Sequence, residues 1–233
     1  MKYQEVISEL HQLANPEKVV FKKEKFGVAS PNSLGIYQKD LKELAKKIGK
    51  DNDLAIQLFD SGIYEARILC SKVFEAKDLT AELMESWVIT FENWEICDSF
   101  CMGLFAKSDL AVLKILEWSH RKNEFEKRAA FAIMAAYCMA DKKASNEVFE
   151  NFFPILVREA TDDRLYVRKA VNWALRNIGK RNVDLYKKAL ETATEIVKLN
   201  TKCSKWIGND AIGQLTKTKV NILDYPRVIY RIE

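Results

Sequence analysis

Apolar residues recur every three or four positions along almost the whole chain, in segments of about 10 to 18 residues, and no stretch alternates as a strand does. With only 8 Gly and 4 Pro among 233 residues, there is little punctuation for the turns of an all-β fold. The predicted fold is therefore all-α. Periodicity places helices over residues 2–14, 38–48, 51–60, 62–74, 80–90, 93–107, 109–119, 124–140, 145–159, 164–179, 182–197 and 203–215. The first helix stops before Asn15-Pro16, and the lysine-rich stretch from Lys18 to Lys25 that follows is poorly periodic and receives no helix. The short tail from about 218 is left without an assignment.

Helices this numerous, joined by loops this short, suggest antiparallel pairs stacked side by side. Weak self-similarity agrees. Arg128-Ala-Ala-Phe-Ala and Arg168-Lys-Ala-Val-Asn lie forty residues apart, each opening a long helix after an acidic, aromatic lead-in, and Glu65-Ala66-Arg67 reads as a more degenerate copy. A period near 40 is that of HEAT and armadillo repeats. The expected architecture is a HEAT-like repeat solenoid, a single domain over residues 1–233 whose concave face carries the function.

Composition narrows the partners. Hydrophobic residues at 48% and charged residues at 30% describe an ordinary soluble protein. The 37 Lys and Arg exceed the 33 Asp and Glu by only four, so a polyanion is a suitable partner only if the positive charge gathers on one face. Five scattered cysteines, an odd number, point to reduced thiols in the cytoplasm. The start, MKYQEVISEL, has no apolar signal core. The longest apolar run, 129–140, falls short of the about 20 residues that cross a bilayer, and reads as a buried helix.

Four places carry candidate chemistry. In Asn93-Trp94-Glu95-Ile96-Cys97-Asp98, Trp94 and Asp98 are one helical turn apart, so indole and carboxylate point the same way; a packed Trp beside a solvated Asp is the plainer alternative. In the helix over 164–179, Lys169, Trp173, Arg176 and Lys180 form one stripe, with Val167, Ala170, Val171, Ala174, Leu175 and Ile178 opposite. A ring among cations suits a phosphate backbone with a sugar or base on the ring, although a solvated helix face accounts for it as well. Arg128 opens the other long helix, where a guanidinium can fork onto a phosphate or pair with Glu124. Lys202, Lys205 and Asn209 share a face that extends the basic track or is simply solvated.

Other chemistries lack their residues. Cys97 and Cys101 have no partner motif and the chain has 2 His, which disfavours a zinc site. No glycine-rich phosphate loop or nucleophile elbow occurs, so no metal or cofactor is expected. Glu65 and Arg67, and the Asp162-Asp163 run, are expected to be surface ion pairs of little consequence.

Taken together, Asn93-Trp-Glu-Ile-Cys-Asp98, Phe125-Glu-Lys-Arg128-Ala-Ala-Phe and Val167-Arg-Lys-Ala-Val-Asn-Trp173-Ala-Leu-Arg176-Asn-Ile-Gly-Lys180 resemble the HEAT-like-repeat DNA glycosylases of the AlkD family, the DNA alkylation repair proteins. A looser likeness runs through Lys25-Phe-Gly-Val28 and Leu34-Gly-Ile36 to Gly49, and the whole spans roughly residues 20–215. The resemblance implies excision of cationic N3- or N7-alkylated purines from double-stranded DNA, by a monomer that grips the sugar and phosphate and need not flip the base. It assigns Asp98 as the catalytic carboxylate, Trp94 and Trp173 as the rings about the deoxyribose, and Arg128 as a phosphate contact. Phe26 stands where a tyrosine helps to grip the DNA, and Gln38 where relatives often have Pro. Some relatives lack the carboxylate and only bind branched DNA; here it is present. The implied location is cytoplasmic, on the nucleoid when bound. A non-catalytic binder of duplex or branched DNA is the alternative function, and a protein-binding scaffold a further one.

Overall fold

The computed structural model describes residues 1–217; the tail from 218 lies outside the described residues. Among those described, every regular element is helical. The chain divides after Asp109 into two compact units.

The first unit holds α1 (Tyr3–Gln12), α2 (Pro16–Phe26), α3 (Gln38–Ile48), α4 (Asn52–Asp60), α5 (Tyr64–Val73), α6 (Ala81–Val88) and α7 (Trp94–Gly103). Here α4 packs on α5, and α5 in turn on α3 and α7. α2 corrects the sequence reading, which gives this stretch no helix. Asn15 caps it by accepting from the Lys18 N–H, Pro16 occupies the first turn, and Gly27 closes it in the left-handed conformation at φ 65°. Its one buried residue is Lys22, while Val20, Phe21 and Phe26 are exposed. The apolar stripe that periodicity seeks is therefore not the face that packs.

The second unit holds α8 (Ala111–Trp118), α9 (Glu124–Ala140), α10 (Asn146–Glu150), α11 (Phe153–Glu159), α12 (Leu165–Gly179), α13 (Val183–Lys198) and α14 (Lys202–Thr216). The expected helix over 145–159 is two, because Pro154 sits in the first turn of α11 and has no N–H to continue α10. Residues 129–135 of α9 are wholly buried, and α12 lies against them with Val167, Ala170, Val171, Ala174, Leu175 and Ile178 inward. Polar contacts stitch α9 to α12 at one repeat length. Asn177 Nδ2 donates to Ala135 O across 42 positions, and Arg181 Nη1 donates to Cys138 O across 43. All five cysteines are buried, and none forms a disulfide. No helix among the described residues is long and apolar enough to cross a membrane.

Two surface expectations need correction. Glu65 is wholly buried and accepts from Ser33 Oγ and the N–H groups of Leu34, Gly35 and Ile36 at 2.7 to 3.3 Å, so it organises the 33–36 loop. Arg67 pairs instead with Glu92 at 2.9 Å. Asp162, mostly covered, accepts from Lys127 at 3.2 Å and from Arg164, which hold its carboxyl below the usual range against the opposing effect of burial.

Candidate nucleic-acid interface

α7 is seated by one face and offers the other. Ile96, Cys97, Phe100 and Cys101 are fully buried, with the Phe100 ring 5.4 Å from Trp87 and 5.1 Å from Phe91. Burial of such a ring contributes about 1.5–3 kcal/mol, enough to fix the helix about its axis. Trp94 and Asp98 then lie one turn apart and half-buried on the remaining side.

A polar network holds the start of α7. Asn93 is 2% exposed, and its Oδ1 accepts from the Glu95 and Ile96 N–H groups and from Tyr64 Oη at 2.9 Å. Its Nδ2 donates to Ala29 O at 3.3 Å. Glu95 takes the Tyr64 hydroxyl at 3.0 Å and forms an ion pair of 2.7 Å with Lys22 of α2. The Tyr64 hydroxyl is pushed well above the usual range by burial and then by Glu95, so it stays a donor. Gln38 Nε2 donates to Ser99 Oγ at 3.1 Å, tying the start of α3 to the residue after Asp98.

The indole of Trp94 is locked as well, its Nε1 donating to Phe26 O at 2.9 Å. Phe26, 49% exposed, is therefore brought beside Trp94 at the end of α2. Between α2, α3 and α7 opens a cleft of about 320 Å³ lined by Lys22, Phe26, Val28, Tyr37, Trp94 and Glu95. Lys22, Asn93, Glu95 and Tyr64 do not stand out as site residues in the sequence. The signal for Asn93 is its place as a helix cap; the Lys22–Glu95 pair depends on the helix that periodicity misses.

The second unit carries the other candidates. On α12, Lys169 is exposed and Trp173 and Arg176 are half-buried, as is Lys180 at the helix's C-cap. Arg176 Nε donates to Asn172 Oδ1 at 2.8 Å and approaches Asp210 Oδ2 at 3.9 Å, while Asn172 Nδ2 donates to Ile207 O at 3.1 Å. The Lys180 ammonium is pushed down by burial and by its neighbour Arg176, a pair whose repulsion an anion would relieve. Lys202, Lys205 and Asn209 are exposed on α14. Arg128 is 6% exposed, and its Nη1 donates to Tyr166 O at 2.7 Å. Glu124, the alternative partner, accepts from the Tyr166 N–H at 2.9 Å, so both side chains grip the backbone where α12 begins. Trp206 escapes notice in the sequence. It is 40% exposed, one turn from Lys202, with the Arg168 guanidinium 5.3 Å above its ring.

Among the described residues, no group of three or more His, Cys, Asp and Glu is placed to hold a metal ion. The first unit brings a fixed indole within one turn of a carboxylate, and the second carries surface cations on α12 and α14; each suits an anionic, sugar-bearing polymer.

The chain is similar to known proteins over most of its length. The sequence profile of a family described as "DNA alkylation repair enzyme" matches residues 6–215. "Uncharacterized protein Lin0241" of Listeria innocua is 22% identical over 226 residues, covering 93% of this chain and 97% of that protein. "Uncharacterized protein Lmo0209" of Listeria monocytogenes is 23% identical over 229 residues, with the same coverage. Among solved structures, one described as "a new family of proteins related to the HEAT-like repeat DNA glycosylases with affinity for branched DNA structures" superposes with a TM-score of 0.70 at 21% identity, over 84% of this chain and 83% of that one. The fold is thus all-α and of the HEAT-like repeat type.

Proposed function

Because this chain belongs to the DNA alkylation repair enzyme family, we propose that it is a DNA glycosylase that removes cationic N3- or N7-alkylated purines from duplex DNA. The observation that carries this reading is Asp98 one turn from an indole locked in place by its bond to Phe26 O. A purine alkylated at either nitrogen is positively charged, so its glycosidic bond is already weak. As the C1′–N bond breaks, the bonding pair goes to the purine, which leaves neutral, and positive charge develops on the sugar. An ionised carboxylate beside C1′ stabilises that charge and orients the water that adds to C1′, the water's proton passing to the carboxylate or to solvent. The face of Trp94 stabilises the same charge and keeps bulk water away.

Lys169, Trp173, Arg176 and Lys180 on α12, with Lys202 and Lys205 on α14, supply a ring and cations for the DNA backbone. Arg128 acts on DNA through the start of α12, whose backbone it holds. No cofactor enters the reaction, and a monomer suffices. The decisive assay incubates the protein with duplex containing 7-methylguanine and, separately, uracil. Free 7-methylguanine is expected and free uracil is not, since neutral uracil is a poor leaving group. Absence of 7-methylguanine release overturns the reading.

A second reading, non-catalytic binding of branched DNA, draws on the structural neighbour described as having that affinity. It predicts tight, salt-sensitive binding to a four-way junction with no release of any alkylated base.

A further inference from the structure

The cleft beside Trp94 sets a buried cation among aromatic side chains. We propose that it holds a free, neutral purine base, the leaving group of the reaction just described; the choice of purine rests on that reading.

The floor supplies the first argument. Lys22 is 5% exposed, its Nζ 2.7 Å from Glu95 Oε2 and 5.6 Å from the centre of the Tyr64 ring. An ammonium has three N–H groups, and Glu95 can take one of them. Beyond that ion pair, no described atom partners Lys22 Nζ. Leaving buried N–H groups of a charged donor unmet is costly, so the cleft is built for a ligand that brings an acceptor to this floor.

The walls supply the second. Phe26, Tyr37 and Trp94 surround the opening, Val28 lies behind, and Trp94 cannot swing because its Nε1 is tied to Phe26 O. Fixed aromatic walls favour a flat ligand, and a volume of about 320 Å³ leaves room for a fused bicyclic ring. Purines combine a flat apolar face with ring-nitrogen and carbonyl acceptors on one edge.

Charge supplies the third. Lys22 and Glu95 cancel on the floor, Lys39 lines the cleft, and Lys18 sits 5.2 Å from the centre of the Tyr37 ring. The charged groups of the lining therefore sum to a net positive charge. The alkylated base still attached to sugar is cationic and disfavoured; once it has taken the bonding electron pair it is neutral and accepted. The cleft thus captures product, and free base should inhibit excision.

Calorimetric titration of the whole protein with free 7-methylguanine tests this. Wild type should bind one equivalent. The paired change Lys22→Met with Glu95→Gln removes the donor without stranding a buried charge, and should weaken binding by about tenfold or more. Tyr37→Ala, at a position already 41% exposed, removes a wall without threatening the fold and should weaken binding too. A duplex bearing one unpaired guanine, titrated in parallel, separates a base still on its strand from a free one; tighter binding of the strand-borne base in a Lys22-dependent manner would overturn the product assignment. No binding by wild type, or equal affinity in all three proteins, overturns the site. Excision without base retention sinks this inference alone. Retention without excision sinks the glycosylase reading and leaves the site standing.

Discussion

Two ionisable residues, Glu65 buried and Lys72 half-buried, bear on the stability of the first unit in opposite senses. Glu65 satisfies a hydroxyl and three backbone N–H groups of the 33–36 loop. That loop crosses α2 so closely that a Cβ on Gly35, at φ +77°, would lie 2.1 Å from Asn15 O. Glu65→Ala strands those donors, and urea denaturation should show a loss of about 3 kcal/mol. A loss under about 0.5 kcal/mol, typical of a surface change, would contradict the role given to this side chain. Lys72 acts in the opposite sense. Burial, then Lys42, push its ammonium down to about 8, with Lys107 adding to the fall and Glu95 opposing it. Below that pH folded and unfolded chains both carry the proton, and the fold bears the full cost of burying it. Between about 8 and the ordinary value of 10.5, the unfolded chain holds more protons, so stability rises with pH. Lys72→Met should therefore stabilise the protein at pH 7 by about 1–3 kcal/mol, and the gain should shrink above pH 8. Melting curves from pH 7 to 10 in both proteins check this; a constant difference would contradict it.

At the scale of the element, most helices are legible because their buried faces are apolar and keep the helical period. The bounds of α3 and α9 match their periodic segments. α2 is hidden for a definite reason: the residue it buries is a lysine, held by a glutamate 73 positions away. Only its caps, Asn15-Pro16 and Gly27, speak for it. The cleft is hidden with it, since Lys22 and Phe26 of α2 and Val28 just past its cap line it. The Trp94 and Asp98 pair is legible, being local to one helix, whereas Glu65 looks like a surface residue because its partners lie 29 to 32 positions back. Arg128 leaves two readings open, and its bond to Tyr166 O cannot be told from spacing. Helix packing can be tested at α14, where a Cβ on Gly208 would fall 2.5 Å from Ala193 O and from Val197 Cγ2 of α13. Gly208→Ala forces the two helices apart. Overpacking of that kind costs about 1–3 kcal/mol, occasionally more, which should lower the melting temperature; an unchanged or raised midpoint would contradict the close approach.

For the whole molecule, a net charge of +4 is too small to bind a polyanion by itself. What matters is how many cations meet phosphates. Replacing Lys169, Lys202 and Lys205 by Ala should flatten the dependence of log affinity on log salt by about 0.9 for each phosphate no longer neutralised. An unchanged slope in fluorescence anisotropy would remove these lysines from the interface. Sequence motifs and family membership agree on DNA as the partner; the chemistry rests on one carboxylate. The most direct test is single-turnover release of 7-methylguanine from duplex by wild type and Asp98→Asn. The account predicts a rate at least about a hundredfold lower in the variant, with DNA affinity nearly unchanged. Release at the wild-type rate by Asp98→Asn would contradict it.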